Sequence, residues 1–235
     1  METATVSRNG TPWVLAFYRS ALGKKAVMAA TGIMLFGFVF VHMVGNLKLY
    51  LGADAINHYG RFLREIGYPL LPHEGALWIA RVVLLGAVAL HITSAIQVWL
   101  MAKESRPEAY TRKDVAIATY ASRTMRWGGL IVLAFILFHL ADLTLGRTGN
   151  AFVEGDVYAN VISSFSRPPV AIFYIIANLM LGLHLYHGLW SMFQSLGWNN
   201  PRFNSWRNEF AAAFAVVITI GNISFPISVM LGLVK

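Results

Sequence analysis

Five stretches of this chain are long and apolar enough to cross a bilayer, near residues 26–47, 76–101, 125–145, 169–193 and 209–232. A spanning helix needs about 20 mostly apolar residues. Backbone in hydrocarbon must satisfy its own hydrogen bonds, which leaves helix as the local solution for runs of this length. The expected fold is therefore an all-α integral membrane protein, a single domain over residues 1–235 with five transmembrane helices in one bundle. Composition agrees, with 57% hydrophobic and 13% charged residues, against about 25% charged in a soluble domain. The net charge of +8 would suggest nucleic acid for a soluble protein. Here the basic residues cluster between apolar segments, a pattern that sets membrane orientation instead.

Twelve Lys and Arg flank the helix ends on one side: Arg8, Arg19, Lys24 and Lys25, then Lys103, Arg106, Arg112, Lys113, Arg123 and Arg126, then Arg202 and Arg207. Six, namely Lys48, Arg61, Arg64, Arg147, Arg167 and Lys235, lie on the other. The positive-inside rule makes the N-terminus cytoplasmic and the C-terminus external. The first 25 residues contain no signal-peptide cleavage pattern, and residues 11–22, which open on Thr11-Pro12 as a helix start, are too short to span. In the first outward connection Asp54 is expected to cap a surface helix presenting Ile56, Tyr59, Phe62, Leu63 and Ile66 on one face, ended by Gly67 and Pro69. Pro168 and Pro169 open the fourth segment, and Pro226 is expected to kink the fifth. No internal repeat is evident.

Four of the five spans carry a histidine at a similar place: His42, His91, His139 and His184, separated by 49, 48 and 45 residues. A titratable side chain in hydrocarbon is costly enough to be read as a functional group facing the bundle interior. Depth then follows from helix direction and a rise of 1.5 Å per residue. His42 and His139 fall roughly 21 to 24 Å from the cytoplasmic boundary, His91 and His184 roughly 15 Å. Alternate helices therefore supply two pairs, His42 with His139 and His91 with His184. Cysteine is absent, which excludes thiolate ligation and cysteine-held clusters in this chain. Two pairs of imidazoles in a membrane bundle predict two bound haems, each ligated from both faces, and so electron transfer in place of oxygen or substrate chemistry.

Other residues carry two readings each. His187, three after His184, shares its helix face and could itself be the ligand. Small residues near the ligands, Gly45, Ala87, Ser94, Ala95, Gly182 and Gly188, could let rings approach or pack helices. Arg81 either snorkels to the interface or neutralises a haem propionate. Glu65, at the outer mouth, either serves proton exchange with a quinone or belongs to a solvated face. Asp142 either hydrogen-bonds an imidazole or caps a helix end. His58 and His73 are expected to be solvated.

The stretches His42-Met-Val-Gly-Asn-Leu-Lys48 and Asn57-His-Tyr-Gly-Arg-Phe-Leu-Arg64 resemble the cytochrome b558 anchors of bacterial succinate dehydrogenases. So do Arg81 through His91, Tyr120-Ala-Ser-Arg-Thr-Met-Arg-Trp127, Gly182-Leu-His-Leu-Tyr-His-Gly-Leu-Trp190 and Gly221-Asn-Ile-Ser-Phe-Pro226. The resemblance implies a multi-pass protein of the bacterial cytoplasmic membrane, bound to a flavoprotein subunit and an iron–sulfur subunit. It would pass electrons through a proximal haem on His91 and His184 and a distal haem on His42 and His139 to a quinone, often menaquinone. Succinate chemistry would belong to a partner, and related fumarate reductases run in reverse. The family's fourth ligand precedes a glycine by four positions, which favours His184, before Gly188, over His187. Some relatives carry a glutamate two residues before that ligand, where this chain has Gly182. A quinone-binding anchor with one haem or none is the alternative within the fold. A proton-relaying transporter is the alternative outside it, disfavoured by the lack of discontinuous helix pairs.

Overall fold

The computed structural model describes residues 12–105, 116–198, 200–201 and 204–235, and the backbone alone for 116–124. Thr11 and the basic residues Arg8, Arg106, Arg112, Lys113 and Arg202 lie outside the described residues, as does the side chain of Arg123.

A short helix α1, Trp13–Arg19, leads into α2, Ala21–Asn46. Ser20 separates them: its hydroxyl accepts the Gly23 N–H at 2.9 Å and so caps α2. The Lys24 ammonium donates to the carbonyls of Tyr18 and Arg19 at 3.1 and 2.9 Å, satisfying the C-terminal end of α1. The chain continues through a 3-10 turn, Leu47–Leu51, to α3, Ala53–Glu65. Then come α4, Gly75–Glu104; α5, Ala116–His139, extended by a π-helical turn over Leu140–Thr144; α6, Val157–Phe165; α7, Pro168–Ser195; and α8, Asn204–Met230.

Five of these are long and apolar enough to span a membrane, and they coincide with the five expected stretches. Most ends run past the apolar segments: α2 begins at Ala21 and α5 at Ala116, where spans were expected to start near 26 and 125. Helical hydrogen bonding does not stop where hydropathy does, and polar residues beyond the hydrocarbon edge still extend the helix. Two local expectations are corrected. Gly52, not Asp54, is the N-cap of α3, with φ at 95°, a conformation a glycine adopts without strain; Asp54 sits in the first turn. On the expected apolar face of α3 only Ile56 is fully buried, while Phe62 and Ile66 stay exposed. The helix α8 is a single element through Pro226.

The packing defines the bundle. Neighbours in close contact run α4–α2–α7–α5, and α8 lies against α7 and α2. The α7–α8 contact is close because Gly182 faces Thr219: a Cβ there would collide with Thr219 Oγ1. Gly45 likewise makes room for the Tyr59 ring. These two glycines thus serve packing between helices, α2 on α3 and α7 on α8. Across the far end of the bundle, away from the N-terminus, α3 packs on the 3-10 turn and α6. There Asp156 caps α6 by accepting the Ala159 N–H and the Asn57 amide, both at 2.9 Å, which hold its carboxyl below the usual carboxylate range.

Candidate functional site

In a row of four helices, α2 and α5 are next-nearest neighbours, and so are α4 and α7; neither pair makes more than marginal backbone contact. Their histidines meet across those gaps. The ring centres of His42 on α2 and His139 on α5 are 5.9 Å apart with planes at 90°. Those of His91 on α4 and His184 on α7 are 6.4 Å apart with planes at 68°. Two imidazoles that bond one metal ion from opposite sides, each at about 2 Å, have ring centres about 6 Å apart. Both pairs match that spacing. Among the described residues no group of three or more His, Asp or Glu side chains could hold a metal. Each pair therefore offers two ligands, the number left to a protein when a planar macrocycle supplies the others.

The pairs sit at two levels. Gly32 on α2 faces His91, whose Cε1 is 3.5 Å from where a Cβ would lie, and Gly129 on α5 faces His184 in the same way at 3.6 Å. His42 follows Gly32 by ten residues, and His139 follows Gly129 by ten. At 1.5 Å per residue the pairs are thus roughly 15 Å apart along the bundle. This is wider than the separation expected from hydropathy, because α2 and α5 begin earlier than their apolar runs and carry His42 and His139 farther from that end. The glycines were not singled out in the sequence, although the shared ten-residue spacing to a histidine was a signal for them. It also relates α2–α4 to α5–α7 as two similar halves, which no sequence repeat disclosed.

Hydrogen bonds orient two of the rings. His91 Nδ1 lies 3.1 Å from the Met28 carbonyl, an acceptor only, so the proton is on Nδ1; Thr31 Oγ1 is 3.3 Å away. His139 Nδ1 lies 3.4 Å from the Tyr174 hydroxyl. A neutral imidazole with its proton on Nδ1 keeps a free lone pair on Nε2, the form that binds a metal. His184 Nδ1 is buried with no hydrogen-bond partner among the described residues. An orphaned buried nitrogen is costly, and only a group that reaches Nδ1 itself would relieve that cost, since a metal on Nε2 leaves Nδ1 as it is. His187 lines the same small pocket as His184, with Met125, Gly128, Met180 and Leu183. Its ring lies against Tyr186, while the ring that faces His91 is that of His184.

The π-helical turn directly after His139 carries Asp142 into the interior, where it is 0% exposed. Neither sequence reading of Asp142 anticipated its setting. Arg167 reaches it at 2.6 Å, Tyr174 donates to it at 3.1 Å, and the hydroxyls of Thr148 and Ser164 donate as well. Arg167 also donates to the Thr148 carbonyl at 2.7 Å. One carboxylate therefore ties together the end of α5, the loop after it, the end of α6 and the start of α7.

The remaining candidates stand apart from the histidines. Arg81 stacks on Trp78 at 4.8 Å and lies 4.0 Å from Glu74, which Arg64 holds at 3.0 Å. Glu74 was missed in the sequence: as the N-cap of α4 with φ at 61° it is placed by the turn, not by any periodic pattern. Glu65 is exposed at the C-terminal end of α3. His58 and His73 are exposed, as expected, with His73 against Tyr68.

Two comparisons relate the chain to known proteins. The profile of the family described as succinate dehydrogenase/fumarate reductase transmembrane subunit matches residues 102–223, a span that contains His139 and His184. The succinate dehydrogenase cytochrome b558 subunit of Bacillus subtilis (strain 168) is 28% identical over 155 residues, covering 66% of this chain and 69% of that protein. No solved structure matches.

Proposed function

Because the chain belongs to the succinate dehydrogenase/fumarate reductase transmembrane subunit family, we propose that it is the anchor that holds two b haems and delivers electrons from an iron–sulfur subunit to a membrane quinone, menaquinone in the reading we favour. The observation that carries this is the facing of His42 with His139 and of His91 with His184 at ring separations suited to one metal ion each. Bound there, haem iron would supply reversible one-electron chemistry.

The chain's own residues do the rest. His42 and His139 would hold one haem, His91 and His184 the other, and Met28 and Tyr174 set the proton on the far nitrogen of His91 and His139. Gly32 and Gly129 leave width beside the rings of the second pair. The apolar spans exclude water from both levels. The flavoprotein and iron–sulfur subunits would dock on the side bearing the N-terminus, which the excess of Lys and Arg assigns to the cytoplasm of a bacterial cell. His91 and His184, nearer that side, would then be the proximal pair. Glu65, exposed at the far side, is the acid we assign to proton exchange with the quinone, and Arg81 the cation available to a haem propionate.

A dithionite-reduced minus oxidised spectrum of the purified complex tests this, with two b-type components expected. Absence of b-type absorption from a preparation that retains its partner subunits would remove the haem reading. Gly129→Val supplies a local check. A Cβ at Gly129 would already stand 3.6 Å from His184 Cε1, so branched methyls would push into the ring. The His91–His184 component is expected to be lost or displaced in wavelength, with the other kept. An unaltered spectrum would separate Gly129 from the site.

A further inference from the structure

Tyr174 is 3% exposed and lies between His139 and Asp142. Its hydroxyl donates to Asp142 Oδ2 at 3.1 Å, and its oxygen is 3.4 Å from His139 Nδ1. A phenol has one proton. With that proton given to the carboxylate, the tyrosine oxygen has only lone pairs for the imidazole, so the second contact is an N–H of His139 donating to Tyr174. The proton of His139 is thereby placed on Nδ1, and Nε2 is left as the ligating nitrogen.

The counterpart in the other pair is of a different kind. His91 Nδ1 faces a neutral peptide carbonyl and a threonine hydroxyl. Behind Tyr174 stands a carboxylate, itself held by Arg167 at 2.6 Å. A hydrogen bond relayed to an anion draws the imidazole proton outward and makes the ligating nitrogen a stronger electron donor. A stronger donor favours the oxidised metal over the reduced one, and hydrogen bonding around a ligand is one of the means by which a protein sets potential.

We infer that Tyr174 is a positioning residue that, backed by Asp142, fixes the tautomer of His139 and lowers the reduction potential at the His42–His139 level. The inference rests on the reading that this pair holds haem. It concerns residues of α7 and the π-helical turn, not the ligands themselves.

The test uses Tyr174→Phe in the full complex with its partner subunits. The ring is retained among Phe135 at 5.2 Å and Phe165 at 4.9 Å, so the helix contact survives. The readouts are absorbance at a series of poised potentials and the low-temperature electron paramagnetic resonance of the oxidised protein, neither of which is turnover. The expected result is an upward shift in midpoint potential and an altered ferric signal for the component that His42→Ala removes, with the other component unmoved. An unshifted component, an equal change in both, or loss of the His42–His139 component outright would each overturn the inference, the last because it would make Tyr174 a packing residue only. A wild-type complex without haem would instead overturn the haem reading and leave nothing to shift, so the two failures are distinct.

Discussion

Alanine in place of His42 or His139 is expected to remove one and the same b-type component from the reduced-minus-oxidised spectrum, and alanine in place of His91 or His184 the other. Each pair faces across a gap between helices that make only marginal backbone contact, at 5.9 and 6.4 Å between ring centres. Roughly 15 Å along the bundle separates the levels, too far for a ring of one level to replace one of the other. Loss of either imidazole therefore takes a whole component, and the effect is all or none at that level. His187→Ala is the control, since its ring lies against Tyr186 and not against His91, and both components should remain. Removal of the same component by His42→Ala and His91→Ala would refute the pairing.

Asp142→Ala is expected to cost about 3–5 kcal/mol of folding stability, the usual effect of removing one member of a buried ion pair. The carboxylate is 0% exposed. Its loss leaves the Arg167 guanidinium, held 2.6 Å away, without its counter-charge. The donors on Thr148, Ser164 and Tyr174 lose their acceptor too. Unfolding in detergent monitored by helical circular dichroism would report this as a large fall in midpoint. The paired change Asp142→Leu with Arg167→Met removes both charges, and it should recover much of the loss, as buried pairs replaced by apolar residues often do. A midpoint unchanged by Asp142→Ala would show that the network is not structural.

Much of the architecture was legible because it depends on local quantities. The five spans follow from apolar length, and the alternation of direction follows from having five of them. The paired depths of the histidines follow from rise per residue. Helix ends were less legible: α2 and α5 extend beyond their apolar runs, which is why the two histidine levels stand farther apart than the sequence implied. Gly52 replaced Asp54 as the cap of α3 because backbone conformation, not side-chain type, set that terminus. Between the two readings of Gly182 the sequence could not choose, for a related reason. Its proximity to His184 in sequence suggested ring approach, yet its face of α7 points at Thr219 on α8.

The sequence by itself determined a membrane bundle of five helices with two histidine levels, since hydropathy and helix pitch act residue by residue. Only the tertiary structure decided what each helix turns toward its neighbours. A spanning helix is apolar on the lipid side and on the packed side alike, so hydropathy carries almost no information about rotation around its axis. That rotation puts His184 and not His187 opposite His91, sets Gly32 and Gly129 beside the rings, and brings Tyr174 between His139 and Asp142.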